Sequence, residues 1–403
     1  MKVAIVGGGA SGLLSSILLS RENFHVDIFE QNSKVAKKIL ASGNGRCNIS
    51  NRNLSRSNFF SRNISFINES ISQFDFIEFE KFAKSISLYL DIKDDGRVYP
   101  LSNEAKSVAL ILETVAKQNG VNILLDSFVK NIELVNKKFN IFTSDKIFSN
   151  YSFVIIATGS NSASHLGGNM SGYQIAQSFK HKIEPLYPSL AQLKISNLES
   201  NLHGVKINTT VKTFIDRKLK NQIKGDVLFT KYGVSGFAIL DSSQKISQAL
   251  LDRLDVEISL DLVPNFEIRY LETILLTATE QNSIEIQLTS LIPHKLIQVI
   301  LKHLNINPTS KIDRKLVKKL IYKLKDFRLK IQDTNGFKGA EVSGGGVDTK
   351  FINSTTMESK LVKKLYFTGE ILDIVGERGG YNLHFAWASG YLASKSISKY
   401  SRV

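Results

Sequence analysis

Hydrophobic positions along the chain change their spacing several times. Lys2–Val6 (KVAIV) is a continuous apolar run, as a strand buried on both faces requires. Leu13, Leu14, Ile17 and Leu18 then recur at helical spacing, and His25–Glu30 (HVDIFE) reads as a second strand. The pattern predicts helices around Ile71–Leu90 and over Ala105–Gln118, the latter stopped by Gly120. Val121–Leu125, Phe128–Leu134 and Phe139–Thr143 read as strands, and Tyr151–Thr158 (YSFVIIAT) as one more buried run. From about Pro188 the strands become short and alternating, as in Val205–Phe214 and Val256–Leu262. Gly225, Gly233 and Gly236 punctuate them, a texture that predicts a β-barrel-like element. Helical spacing returns over Phe266–Gln281, Leu288–Leu304 and Asp313–Leu324, and Phe327–Gln332 is again a strand. Ser343–Val347 reads as a glycine turn and Leu365–Thr368 (LYFT) as a strand. A small-residue helix follows through Ala386, Ala388, Ser389, Gly390 and Ala393.

The vocabulary of the first 188 residues thus comes back near the C-terminus. This predicts an α/β domain built from both chain ends, 1–188 and 336–403. The interruption is a β-barrel-like insert, 189–262 and 326–335, which carries a helical piece, 263–325.

Between the first strand and the first helix lies Gly7-Gly8-Gly9-Ala10-Ser11-Gly12, with glycines in the G-x-G-x-x-G arrangement. Gly7 makes the tight turn, Gly9 lets a pyrophosphate approach the backbone, and Gly12 allows close helix–strand packing. The helix N-terminus offers N–H groups and the positive end of its dipole. Glu30, eighteen residues after Gly12, is placed to accept from an adenosine ribose. The late strand running into Gly369-Glu370 favours FAD over NAD, because in a two-ended flavin domain such a segment reaches the flavin half. One fingerprint gives no second Rossmann domain, so NAD(P)H is expected as a transient electron donor or not at all.

Composition narrows the function classes. No apolar run approaches the roughly 18 residues of a membrane span, and the first strand starts at residue 2, so a cytoplasmic protein without a signal peptide is expected. Cys47 is the only cysteine, which excludes an intrachain disulfide, and the seven histidines show no metal-ligand spacing. The net charge of +15 raises the question of nucleic acid. Its lysines are spread along the chain, however, and the densest basic stretch, Lys311–Lys330, interleaves Leu316, Val317, Leu320, Ile321 and Leu324 at helical spacing. That pattern reads as an amphipathic helix with a solvated basic face. A small-molecule substrate is the leading expectation, a flavin-dependent RNA-modifying enzyme the second, and a non-catalytic flavin-binding module the third.

Four longer segments carry a resemblance: KKILASGNGRCNISN (37–51), GRVYPLSNEAKSV (96–108), TMESKLV (356–362) and YFTGEILDIVGERGGYNLHFAWASG (366–390). In this order they resemble the BaiN-like (YhiN-like) NAD(P)/FAD-dependent oxidoreductases, also described as aminoacetone-oxidase-type flavoproteins. The resemblance implies a glutathione-reductase-type FAD-binding domain interrupted by a β-barrel subdomain with a small helical subdomain. It puts Gly7, Gly9, Ala10, Ser11 and Gly12 on the pyrophosphate and Glu30 on the ribose. Lys38, Gly43, Gly45, Arg46, Cys47 and Asn48 would line the flavin. Val129 would contact the adenine through its backbone, and Thr158 and Gly159 would flank the nucleotide. Gly369, Glu370 and Asp373 would take the ribityl–phosphate, and Gly379, Gly380, Tyr381 and Asn382 the isoalloxazine. The chain departs from the family in reading SGN at 42–44 for SGG, ATGS at 157–160 for ATGG, and GGNMSGY at 167–173 for a GSTGDGY-like turn.

A flavin brings its own electron chemistry, so the protein must bind, orient and tune it. Arg46 and Arg97 either clamp an anionic group of a substrate or pair internally. Tyr99, Tyr381 and His384 are the candidate proton donors, with a structural role for His384 equally open. Cys47 lacks a resolving partner and reads as a packing residue beside the ring.

Overall fold

The computed structural model describes residues 1–277, 283–307 and 313–402. The chain forms two compact units, one from Met1–Leu186 with Val342–Val403 and the other from Tyr187–Glu341.

The first unit is built on a five-stranded parallel sheet. Its order is Leu365–Phe367, Phe153–Ile156, β1 (Lys2–Val6), β2 (His25–Phe29) and Asn122–Leu124. The C-terminal strand therefore completes a sheet begun by the N-terminus. Helix α1 (Ala10–Arg21) follows β1 and is buried along most of its length. It packs on the helix Tyr381–Ser398 through small residues: Ser15 Oγ donates to the Gly390 carbonyl at 3.1 Å, and a Cβ at Gly390 would lie 2.8 Å from the Ser11 carbonyl oxygen. Within the sheet, the buried Asp27 accepts from Tyr151 Oη and from Asn122 Nδ2 (2.9 Å) and pairs with the Lys2 ammonium at 3.4 Å, so the carboxylate at that depth has partners.

Several elements differ from the sequence expectation. The strand expected over Tyr151–Thr158 is present but shorter, Phe153–Ile156 in the parallel sheet, and Tyr151 ends a separate strand, Ile147–Tyr151, of a three-stranded meander. The helix expected around 71–90 is two, Ile67–Gln73 and Phe76–Ser85. Asp75 caps the second by accepting from the Glu78 N–H at 2.9 Å. Ser343–Val347 is a strand, Val342–Val347, kinked by positive φ at Gly345 and Gly346.

The second unit contains a closed six-stranded barrel: Leu193–Ile195, Gly233–Ser235, Lys218–Phe229, Lys206–Ile215, Val256–Asp261 and Phe327–Thr334. Its core runs into four helices, Ile268–Leu275, Ile284–Thr289, His294–Leu304 and Arg314–Lys325. Phe266–Gln281 is thus shorter than its pattern suggested, and its last residues lie outside the described ones, as does the start of the Lys311–Lys330 stretch. Leu288–Leu304 breaks at Pro293, which cannot donate within a helix interior. A helix that the alternating texture hid, Phe237–Leu251, packs on the long hairpin 206–229.

Candidate functional site

The glycine loop of the first unit has three distinct local geometries. Gly7 has φ +110, and a Cβ there would stand 2.4 Å from the Ala157 carbonyl oxygen, so the turn needs glycine. A Cβ at Gly12 would stand 2.1 Å from the Gly7 carbonyl oxygen, which is the close helix–strand contact. Gly9 differs: its φ is −85, and a Cβ there would meet nothing within 4 Å. Gly9 N-caps α1 without a side-chain hydrogen bond. No side chain caps the N–H groups of Ala10 and Ser11 among the described residues, and they stand at the positive end of a twelve-residue helix.

Glu30 is buried at the end of β2. Its Oε2 accepts from the Gly8 N–H at 2.8 Å, and its Oε1 from the N–H and side-chain amide of Asn32 at 2.9 and 2.6 Å. A carboxylate has about four acceptor sites and three are taken, so one remains, on Oε2, for a hydroxyl. The Ser127 N–H donates to the Glu30 carbonyl at 2.8 Å, which lays the strand Val129–Val135 beside it. Thr158 and Gly159 follow the strand Phe153–Ile156, and Thr158 lies beside Gly7 of the glycine loop. This set suits the ADP half of a dinucleotide: room at Gly9, an uncapped helix start and an anchored carboxylate.

A second cluster joins both chain ends. Lys38 Nζ donates to Glu370 Oε2 at 2.7 Å and to Ser162 Oγ at 2.9 Å. Glu370 Oε1 accepts from Ser162 Oγ (3.2 Å) and from the Ser343 N–H (2.9 Å). Neither serine was singled out by sequence, and no local pattern marks them. Asp373 is buried and accepts from the Arg62 N–H (3.0 Å) and Ser61 Oγ (3.3 Å). Burial raises its carboxyl to about 6. The Tyr173 hydroxyl, also missed by sequence, is buried without a hydrogen-bond partner among the described residues. Burial, then the Glu370 and Asp373 charges, push its pKa far up.

The loop 42–48 turns tightly. Asn44 has φ +54, the left-handed region that the family's glycine would occupy and that asparagine tolerates best after it. Cys47 is fully buried, and burial raises its thiol to about 11, so it stays protonated and unreactive. With its amide oriented to satisfy its neighbours, Asn48 donates to the Val98 and Ser50 carbonyls and accepts from the Gly380 N–H at 3.3 Å.

Arg46 and Arg97 part company here. Arg97 is neutralised by Asp95 at 2.6 Å. Arg46 has no acidic partner among the described residues and lies over the Tyr99 ring, 5.5 Å from its centroid. Together with Lys93, Asp94 and Asp95 they line an open cavity of about 350 Å³.

The C-terminal loop revises three expectations. His384 is fully buried, with Nδ1 2.9 Å from Ser50 Oγ and Nε2 2.9 Å from the Phe74 carbonyl. The carbonyl forces Nε2 to carry the proton, so Nδ1 accepts from Ser50. Burial lowers the imidazole to about 4. A neutral ring with both nitrogens spent has no proton to hand to a ligand, which removes His384 from the candidate donors. The Asn382 side chain closes on Gly376, accepting from its N–H at 2.8 Å and donating to its carbonyl at 2.8 Å, so only its backbone faces outward chemistry. The Gly380 N–H is taken by Asn48, which leaves the Tyr381 and Asn382 N–H groups at the start of that helix. Tyr381 stands edge-on to Phe59, and burial raises its phenol, so it is protonated at neutral pH.

The HI0933-like protein Rossmann domain model matches residues 1–396. A "3-dehydro-bile acid delta(4,6)-reductase" of Clostridium scindens is 33% identical over 99% of both chains. A "Ribosomal RNA dihydrouridine synthase" of Haemophilus influenzae is 30% identical over 98% of both. Among solved structures, a 3-ketosteroid-delta4-(5alpha)-dehydrogenase from Rhodococcus jostii aligns with a TM-score of 0.50 and 12% identity, covering 100% of this chain and 96% of that one. At that identity the likeness concerns the fold. With a family model over nearly its whole length, the chain belongs to the HI0933-like Rossmann family and is an oxidoreductase with an FAD-type Rossmann fold.

Proposed function

We propose that the protein binds one FAD per chain and adds hydrogen across a carbon–carbon double bond conjugated to a carbonyl. The observation that carries the cofactor is the open space at Gly9 above an uncapped α1, with Glu30 anchored beside it. The reaction class is supported by the two relatives. One is named for reducing a 3-oxo steroid's unsaturation, the other for reducing uridine, and both bonds are activated by a neighbouring carbonyl.

When bound, FAD supplies the two-electron chemistry. The chain's own residues bind, orient and protonate. The glycine loop and the N-terminus of α1 receive the pyrophosphate, and Glu30 the ribose. Lys38 and Glu370, tied through Ser162, fix the loop from residue 37 to the segment at 369–373. Arg46, over the Tyr99 ring and without an ion pair among the described residues, anchors an anionic or carbonyl oxygen of the substrate. Tyr381 is the leading proton donor, since burial keeps its Oη protonated.

A small unsaturated carbonyl compound is the leading substrate. A second reading, uracil in ribosomal RNA, is favoured by the +15 charge and by the Haemophilus relative. Anaerobic mixing of NADH or NADPH with the FAD-loaded protein, followed by an enone or by unmodified rRNA, tests both. Bleaching of the flavin and its recovery on substrate support the proposal. A flavin that neither donor nor substrate changes contradicts it.

A further inference from the structure

The helix Arg314–Lys325 in the barrel-bearing unit buries Val317, Leu320, Ile321 and Leu324. Its other side exposes Arg314, Lys315, Lys318, Lys319 and Tyr322. Positions 315, 318, 319 and 322 stand one above the other, at the i, i+3, i+4 and i+7 spacing of a single stripe.

Among the described residues nothing neutralises this stripe, and none of these four cations has an ion pair. Neighbouring cations do: Lys325 with Asp261 at 2.8 Å, Lys330 with Asp255 at 2.9 Å, and Lys302 with Glu199 at 3.0 Å. The exposed helix Phe76–Ser85 also pairs its lysines, Lys81 with Glu78 and Lys84 with Glu80. On the stripe, like charges three and four residues apart repel one another. Arg314 and Lys315 also occupy the first turn, where the helix dipole disfavours cations. Asp313 is spent as the cap, accepting from the Leu316 N–H at 2.7 Å. The Tyr322 hydroxyl donates to Asp326 at 3.0 Å, and the residue is 65% exposed.

We propose that this face docks RNA. Arg314, Lys315, Lys318 and Lys319 contact successive backbone phosphates, and the Tyr322 ring stacks on an unpaired base. The inference rests on the rRNA reading above and names the surface that reading requires. The repulsion built into the stripe is relieved when phosphates occupy it. An anionic membrane fits less well, because a surface-lying helix inserts its apolar side, and here that side is buried in the unit's own core.

The test uses the FAD-loaded full chain. Binding of a labelled 20-nucleotide oligouridylate and of protein-free rRNA is measured by anisotropy or filter retention across a salt series. The variants are a triple Lys315→Gln/Lys318→Gln/Lys319→Gln and the corresponding triple Lys→Arg. The glutamine triple should bind at least tenfold more weakly. Its log–log salt slope should be shallower by about 2, from ~0.7 per phosphate contact on a single strand. The arginine triple should bind like wild type. Flavin content should be unchanged, and the glutamine triple should melt at the same temperature or higher, because repulsion is removed. Wild-type binding with an unaltered glutamine triple would remove this face and leave the rRNA reading standing. No retention by wild type, while an enone reoxidises its reduced flavin, would remove both. Tighter retention on phosphatidylglycerol vesicles than on either RNA would overturn the assignment of the face to RNA.

Discussion

The Lys38 ammonium donates to the Glu370 carboxylate at 2.7 Å, across 332 positions of sequence. The pair is part-buried, with the two side chains 33% and 16% exposed. Removing Lys38 leaves Glu370 short of a charged donor, although Ser162 and the Ser343 N–H still reach it. Lys38→Met should cost ~1–3 kcal/mol, and Lys38→Met/Glu370→Gln should cost less than the two single changes added. Urea unfolding of the four proteins gives the coupling energy. Additive effects would show that the pair is incidental.

Gly9 and Gly12 make opposite predictions from one motif. The Cβ of Gly9→Val meets no protein atom within 4 Å, and φ there is ordinary, so the chain should fold and lose FAD. Gly12→Val drives a side chain into the Gly7 carbonyl and should fail to fold. Flavin absorbance per chain and the melting temperature separate these outcomes. Retained FAD in folded Gly9→Val would contradict the pyrophosphate placement.

Gly380 is a structural glycine. Its φ is +97, and a Cβ would stand 2.2 Å from the Ser50 carbonyl oxygen. Gly380→Ala should therefore destabilise by at least ~1–3 kcal/mol. A melting temperature equal to wild type would contradict the strain.

Arg46→Ala should raise KM for an anionic or carbonyl substrate by roughly ten- to a hundredfold, with kcat changed less, because a charged hydrogen bond of ~1.5–3 kcal/mol is lost. Arg97→Ala, which removes an already neutralised guanidinium, should change KM little. Equal effects would merge the two roles that the structure separates.

Acid stability carries the imprint of His384. Burial holds its folded pKa at about 4, below the ordinary imidazole value of 6.5. Its contribution is therefore fully present above pH ~6.5 and is lost as pH falls toward 4, by up to ~3 kcal/mol. His181, also lowered to about 4 by burial, adds in the same direction. Asp373, raised to about 6, opposes them: its contribution is present below the ordinary carboxyl range and lost as pH rises through 6. Unfolding measured from pH 7 to 4 should show net loss, and His384→Gln should flatten it while the pH profile of flavin turnover stays put. A shifted turnover profile would return His384 to catalysis.

The parts of the fold visible in sequence are those fixed by local chemistry. β1, the glycine turn and α1 declare themselves through a continuous apolar run and a spacing that only a strand–turn–helix satisfies. The helix Phe237–Leu251 hides because it buries Ser242, Ser243, Gln244 and Ser247 along with Ile239 and Ile246, which erases the apolar stripe. The strand Lys218–Phe229 hides because most of it is solvated, with lysines where a core strand would carry valine. At the site, Glu30 was legible from its distance to Gly12, whereas His384 was not. Its burial depends on the Phe74 carbonyl and Ser50, 310 and 334 residues away. The same holds for the contrast between Arg46 and Arg97, which turns on where Asp95 points.

The most direct measurement is a single turnover. The FAD-loaded protein is reduced chemically under strict anaerobiosis and mixed with an excess of a conjugated enone, or of rRNA lacking dihydrouridine. The account predicts that the flavin spectrum returns to the oxidised form in one exponential. One saturated product, or one dihydrouridine, should form per flavin, and a non-conjugated alkene should leave the flavin reduced. A protein that binds no FAD, or a reduced flavin indifferent to both acceptors while oxygen still reoxidises it, would contradict it.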